Sequence, residues 1–245
     1  MILLIDAGNT RVKWRLTAAD APLQAIEEGA LAHDAIGSLA SLRARYPALS
    51  RAVGCNVAGA AIAAHLDQTL AGIGIEWLRP GANCCGVRNH YEQPARLGAD
   101  RWAALIGARQ LHRQACLVVT AGTATTIDLL SADGEFLGGL ILPGVDLMQH
   151  ALAHGTAQLP LAEGRFTLQP RRTVDAIHSG CLLAQAGAVE RMFRQIASQP
   201  QAKCLLGGGA ADSFAGLLDI PLRRVDNLVL IGLGAIAAAG EIHPQ

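Results

Sequence analysis

Leu3-Leu4-Ile5-Asp6-Ala7-Gly8-Asn9-Thr10 and Leu117-Val118-Val119-Thr120-Ala121-Gly122-Thr123 lie about half a chain apart and share one pattern. Each is an apolar run, a polar residue, Ala-Gly, a small polar residue, and then a second strand-like segment at residues 12–17 or 125–130. Continuous apolar runs of this length read as strands buried on both faces. The same unit at equivalent places in two successive blocks points to duplication. We place the boundary near residue 114, giving domains of 1–113 and 114–245. Around the two units strand-like and helix-like segments alternate, which is the signature of an α/β fold. Residues 34–45, 58–71 and 98–112 read as helices; residues 51–55 and 73–78 read as strands.

The chain has 245 residues, about half of them apolar, and a formal net charge of zero. The core is therefore sizeable, and the broad positive field that nucleic acid or an anionic membrane attracts is missing. No segment reaches the ~18 consecutive apolar residues of a membrane span. Met1-Ile2-Leu3-Leu4-Ile5-Asp6 has no basic start and meets an acid after four apolar residues, so it reads as a core strand and not a secretory signal. The six cysteines contain no C-x-x-C pair and read as reduced, mostly buried thiols of a cytoplasmic protein.

Phosphate binding needs backbone N–H groups converging on one space and glycine to let the chain approach. Asp6, Ala7, Gly8, Asn9 and Thr10 supply such a turn, and Arg11, Val12 and Lys13 continue it. Asp6 is placed to hold Mg²⁺, which favours few carboxylates plus phosphates. Lys13, one of only two lysines, would offset phosphate charge in a transition state. Taken singly, the stretch is equally an ordinary hairpin turn; Gly122 and Thr123 make a second donor turn, and a pair of turns makes a clamp. Gly207-Gly208-Gly209, before a helix-like segment at 210–218, is a further place for a nucleotide base or ribose.

No G-x-x-x-x-G-K-[ST] is present, so a P-loop is excluded. Gly232-x-Gly234-x-x-Ala237, after a strand-like 228–231, leaves too little chain for a dinucleotide-binding unit and reads as close helix packing.

Gly98-Ala99-Asp100-Arg101 sits where a loop becomes a helix. Backbone donors and the helix dipole there favour an ionised Asp100, able to accept a hydroxyl proton. Arg101 is suited to a carboxylate. Tyr91 either walls a small pocket or packs in the core, and Thr173 either caps a long helix running to about residue 196 or offers its hydroxyl to a ligand. His150 and His154 have the i, i+4 spacing of metal ligands but lack a Glu or Cys companion.

In order along the chain, Asp6-Ala7-Gly8-Asn9-Thr10-Arg11-x-Lys13-Trp14, Tyr91 with Leu97-Gly98-Ala99-Asp100-Arg101, Ala121-Gly122-Thr123-Ala124-Thr125-Thr126-Ile127-Asp128, Gly138-Gly139-x-Ile141-x-Pro143-Gly144 and the Thr173 segment resemble the motifs of the type III pantothenate kinases. The resemblance implies duplicated actin-like (ribonuclease H-like) domains with a nucleotide cleft between them, and transfer of phosphate from Mg·ATP to pantothenate, giving 4′-phosphopantothenate on the way to coenzyme A. It implies Asp100 as proton acceptor; Tyr91, Gly98, Ala99, Asp100, Arg101 and Thr173 around pantothenate; residues 6–13 with Gly122 and Thr123 on ATP; and a homodimer. Another polyol as substrate, or a non-catalytic regulatory role, are the alternative readings. The family pattern has Asp, associated with a monovalent cation (potassium or ammonium), where this chain has Thr120, so a weakened or lost cation requirement is expected.

Overall fold

Each apolar run becomes an inner strand of its own sheet in the computed structural model, which describes residues 1–240. The chain opens with the strands β1 (Ile2–Ala7), β2 (Val12–Thr17) and β3 (Ala25–Leu31), a 3-10 stretch at His33–Ala40 and the short helix α1 (Ser41–Arg45). There follow β4 (Arg51–Asn56), helix α2 (Ala60–Thr69), β5 (Ile75–Trp77), β6 (Asn83–Cys84), β7 (Val87–Asn89) and helix α3 (Ala99–Leu111). The pattern restarts with β8 (Cys116–Ala121), β9 (Ala124–Leu130), β10 (Glu135–Pro143), α4 (Val145–Gly155) and α5 (Thr173–Phe193). It ends with β11 (Lys203–Gly207), α6 (Asp212–Ala215), β12 (Leu222–Arg224) and α7 (Leu228–Ala239).

Two compact units result. The first comprises Met1–Arg113, Gly134–Leu137 and, among the described residues, 227–240; the second comprises Gln114–Asp133 and Gly138–Asp226. The first unit's sheet runs β3-β2-β1-β4-β5, with β1 antiparallel to β2 and parallel to β4. The second unit repeats it as β10-β9-β8-β11-β12, with β8 antiparallel to β9 and parallel to β11. A hairpin beside a parallel crossover strand is thus built twice, the duplication expected from the two Ala-Gly stretches. The core of the first unit gathers Leu3, Ile5, Trp14, Leu16, Ile36 and Leu66. That of the second gathers Leu117, Val119, Ile127, Val189, Phe193 and Phe214.

One boundary expectation is corrected. A division at residue 114 assigns everything after it to the second domain, yet α7 packs on α3, β1 and β4 of the first unit. Residues 241–245 of the expected second domain lie outside the described residues. The cause is visible in the sequence of α7, apolar all round and rich in glycine: a β-carbon built on Gly232 would fall against the carbonyl of Ala103, and one on Gly107 against that of Leu228. Glycines here let two helix backbones touch. The close-packing reading of Gly232-x-Gly234 therefore holds, while its flank at 228–231 is the first turn of a helix and not a strand. Residues 34–45 form a 3-10 stretch running into one α-helical turn, and α6 is shorter than the helix expected over 210–218.

Candidate active site

Antiparallel pairing sets Asp6 directly opposite Lys13, so both side chains leave the same face of the first unit's sheet. Parallel pairing sets Cys55 beside Asp6 on the other flank, and its thiol donates to Asp6 Oδ1 at 3.5 Å. The turn between β1 and β2 is closed by the Gly8 amide donating to the Arg11 carbonyl at 3.1 Å, with Asn9, Thr10 and Arg11 exposed and Ala7 and Val12 buried beneath. His33, which sequence reasoning missed, braces this turn: its Nε2 meets the Gly8 carbonyl at 2.9 Å, which requires the Nε2–H tautomer. No periodicity marks a contact between residues 25 positions apart.

Asp100 joins this group from α3. Gly98 takes the N-cap position and Ala99 the first helical one, so Asp100 stands a residue inside the helix. Its Oδ1 accepts from the Arg101 amide at 2.8 Å. Burial pushes its carboxyl above the ordinary carboxylate range, against the Arg101 amide and guanidinium, which pull it down. Helix-start donors alone favour a low value; burial outweighs them, because the first turn of α3 runs into the unit's interior. Asp6 behaves alike: burial, and then the charge of Asp100, raise it from 3.8 to about 6, with Lys13 and the Cys55 thiol opposing. The Cys55 thiol is itself pushed well up by burial and by the Asp6 and Asp100 charges, so it remains a donor.

Arg101 is buried among rings. Its guanidinium carbon lies 5.7 Å from the Tyr91 ring centre and 5.8 Å from that of Phe136, and Nη1 donates to the Tyr91 hydroxyl at 3.4 Å. Flat cation and ring faces attract through the ring quadrupole. Tyr91 is held by its amide donating to Asn89 Oδ1 at 3.0 Å, and Asn89 in turn donates to the carbonyls of Gly81 and Pro94. Phe136, at the start of β10, reaches the cluster because it pairs with Asn89 across β7. It too was missed by sequence reasoning, since that pairing joins segments far apart in the chain.

In the second unit, the β8–β9 turn is closed by the Gly122 amide donating to the Ala124 carbonyl at 3.0 Å, leaving Gly122 and Thr123 exposed. Gly208, at φ +96, packs on the Ala121 backbone, and the Ala210 amide donates to the Ala121 carbonyl at 3.1 Å. The glycine run thus docks at the base of this turn. Thr120 pairs with Thr126 and is half-buried. Thr173 is the first helical residue of α5, after Arg172 at the N-cap, and is exposed. His150 and His154 stack with ring centres 6.2 Å apart on α4. Among the described residues no three His, Cys, Asp or Glu are grouped to hold a metal, and no helix is long and apolar enough to cross a membrane.

A hairpin–crossover sheet built twice defines a fold of the actin-like, sugar-kinase type. A candidate 2-dehydro-3-deoxygalactonokinase from Sinorhizobium meliloti has this fold: TM-score 0.61 at 17% identity, covering all of both chains. So does a candidate Baf family transcriptional activator from Campylobacter jejuni, with a TM-score of 0.63 at 21% identity over 97% of this chain and 98% of that one. The particular kind of kinase follows from sequence. Residues 2–195 match the type III pantothenate kinase family, and a type III pantothenate kinase of Aromatoleum aromaticum is 61% identical over 97% of this chain and 98% of its own. This chain belongs to the type III pantothenate kinase family and is a kinase.

Proposed function

We propose that the protein transfers the γ-phosphoryl group of ATP to the primary hydroxyl of pantothenate, giving 4′-phosphopantothenate, and that it does so in the cytoplasm. The observation that carries this reading is the convergence of Asp6, Lys13 and Asp100 beside a buried Arg101 faced by two aromatic rings. Such an arrangement offers a phosphate end and a carboxylate-binding end within one unit. Pantothenate carries a carboxylate and a hydroxyl, and Arg101 would hold the former bidentately. Tyr91, with Gly98 and Ala99, would contact the rest of the substrate. The Gly8–Thr10 turn would donate to the ATP phosphates.

Asp100 would accept the hydroxyl proton as the oxygen attacks phosphorus. A carboxyl raised by burial is a better base than an ordinary one, because its affinity for the proton lies nearer the working pH. Lys13 would neutralise charge on the transferring group. Asp6 fits Mg²⁺: it is one carboxylate, raised by burial and short of compensating charge, beside a turn suited to phosphates. When bound, the ion would draw electron density from the β- and γ-phosphate oxygens. A panel of hydroxylated metabolites offered with ATP tests the substrate. Turnover should be confined to pantothenate and its close amides, and faster turnover of a sugar would overturn the assignment.

Asp6 also makes a stability prediction. Its pKa is higher folded than unfolded, so ionising it works against the fold: the favourable state is fully present below pH 3.8 and lost as pH rises through about 6. Asp6→Asn should therefore stabilise the ligand-free protein at pH 8 by roughly 1–3 kcal/mol, and the gain should shrink as pH falls toward 4. Thermal unfolding of both proteins across that range checks it, and a gain independent of pH would contradict the stated cause.

A monovalent cation needs charged or carbonyl oxygens around it, and Thr120 offers a neutral hydroxyl. The residue does not fit that ion, and no step is routed through it. We expect the rate to be the same in potassium, sodium and choline salts at constant ionic strength, and Thr120→Asp to introduce a potassium dependence. A steep dependence in the unaltered protein would refute this.

The protein is proposed to be a homodimer. Beyond the resemblance, the second unit leaves Leu140, Ile141, Leu147, Leu161 and Leu168 exposed, side chains that a second copy would cover. Light scattering should give twice the chain mass; a single chain mass at micromolar concentration would count against it.

A further inference from the structure

Cys84 and Cys85 close the hairpin between β6 and β7, and the backbone there is unusual. Cys84 pairs with Val87, leaving Cys85 and Gly86 as a two-residue turn with φ of +49 and +77. Such a turn favours Asn, Asp or Gly at its first position, and a cysteine held there bears a left-handed conformation that side chains rarely adopt. Strain of this kind, where it persists, is a prompt to look for a function. The Cys84 thiol, buried, lies 3.7 Å from that of the half-buried Cys85. No disulfide joins any of the six cysteines.

The surroundings of Cys85 offer room for a ligand. An open cavity of about 650 Å³ lies beside the turn, lined by Asp20, Leu23, Gln24, Cys85, Gln110 and Ala238. It presents the Cys85 edge of the turn together with the Asp20 carboxylate, two carboxamides and an apolar wall, a lining suited to a small peptide-like molecule. Cys85 is the one cysteine of the six that is not buried, and a sulfur must be reached to react. Cys55, Cys116 and Cys204, by contrast, are fully enclosed, and burial pushes Cys204 up to about 12.

We propose that Cys85 is a site of S-thiolation by low-molecular-weight disulfides of peptide-like thiols, with Cys84 as its resolving partner. The Cys85 thiolate attacks one sulfur of a disulfide RSSR, forming Cys85–S–S–R and releasing RS⁻, which takes up the proton lost from Cys85. Cys84 then attacks the Cys85 sulfur, forming the Cys84–Cys85 disulfide and releasing the second thiol. The two cysteines together lose two electrons, and RSSR gains them. Adjacent Cα atoms stand about 3.8 Å apart, below the usual range for a disulfide, so the closed ring is strained and readily reduced. The hairpin is the one whose strand β7 ends at Asn89, the residue that holds Tyr91, so a group attached at its turn sits on the arm carrying that ring.

The probe is oxidised glutathione, added to the reduced full-length protein without nucleotide. Unreacted thiols are then trapped with a maleimide and the peptides are mapped by mass. In the unaltered protein Cys85 should react about tenfold or more faster than any other cysteine, with the peptide spanning residues 84 and 85 then losing two hydrogens. Cys84→Ser should stop the reaction at one glutathionyl group on Cys85, removable by dithiothreitol. Cys85→Ser should leave residue 84 unmodified. Cys85 reacting no faster than the enclosed cysteines, a count that the unaltered protein gives without any variant, would overturn the proposal. So would a Cys84→Ser protein that is folded, by its thermal transition, and unmodified.

Discussion

Replacing Asp100 by Asn is expected to lower kcat by roughly 10²–10⁴-fold, the contribution of a positioned base, while nucleotide binding is retained. The substitution keeps the shape of the side chain and leaves an oxygen to accept the Arg101 amide, so the start of α3 should stand. What is lost is the lone pair that takes the substrate proton. Because burial holds the Asp100 carboxyl above its ordinary range, the acidic limb of the pH–rate profile should lie above that of an exposed aspartate and should lose the Asp100 contribution in the variant. Asp6, next to it and raised for the same reason, contributes to the same limb, so the limb belongs to the pair. Steady-state kinetics from pH 5 to 9 with both proteins, and calorimetric titration with ATP, separate loss of chemistry from loss of binding. Near-normal turnover by the Asn variant would remove Asp100 from the role.

The second large effect is structural. Gly232→Val should destabilise the protein by about 3 kcal/mol or more, a large share of the ~5–15 kcal/mol that holds a typical domain together. Even the first carbon of the new side chain meets the Ala103 carbonyl, and backbone cannot step aside as a flexible side chain would. The helices must separate, and α3 is buried along most of its length, with Trp102, Leu105 and Ile106 fully enclosed. Since Asp100 stands in the first turn of α3, residual folded protein should also lose activity. Thermal unfolding should show a midpoint lowered by about 10 °C. An unchanged midpoint would mean that α7 does not pack on α3 as described.

The elements legible from sequence are those whose causes are local. The Ala-Gly stretches flanked by apolar runs marked both hairpins, and Asp6 facing Lys13 follows from strand spacing once the turn is placed. Gly232 was legible only in part: small residues in an apolar run announce a close approach, but the stretch 228–231 has the composition of a strand and the length of a helix decides it. The membership of α7 in the first unit depends on which helix it touches, and nothing near residue 228 records that.

At the site, the residue types of Asp100, Arg101 and Tyr91 were readable, while their environment was not. The upward shift of Asp100 comes from burial by the fold around it, where local reasoning sees only the helix-start donors. Phe136 against Arg101, Cys55 on Asp6 and His33 on Gly8 all join segments 25 or more residues apart, through pairings that only the folded sheets bring about.

The most direct test of the central claim is mass spectrometry of pantothenate incubated with the purified protein and Mg·ATP, beside the same incubation with the Asp100→Asn protein. The geometry described predicts a product heavier by one phosphoryl group in the first and almost none in the second, at equal nucleotide binding. ATP bound by both proteins with pantothenate unchanged in either would contradict it.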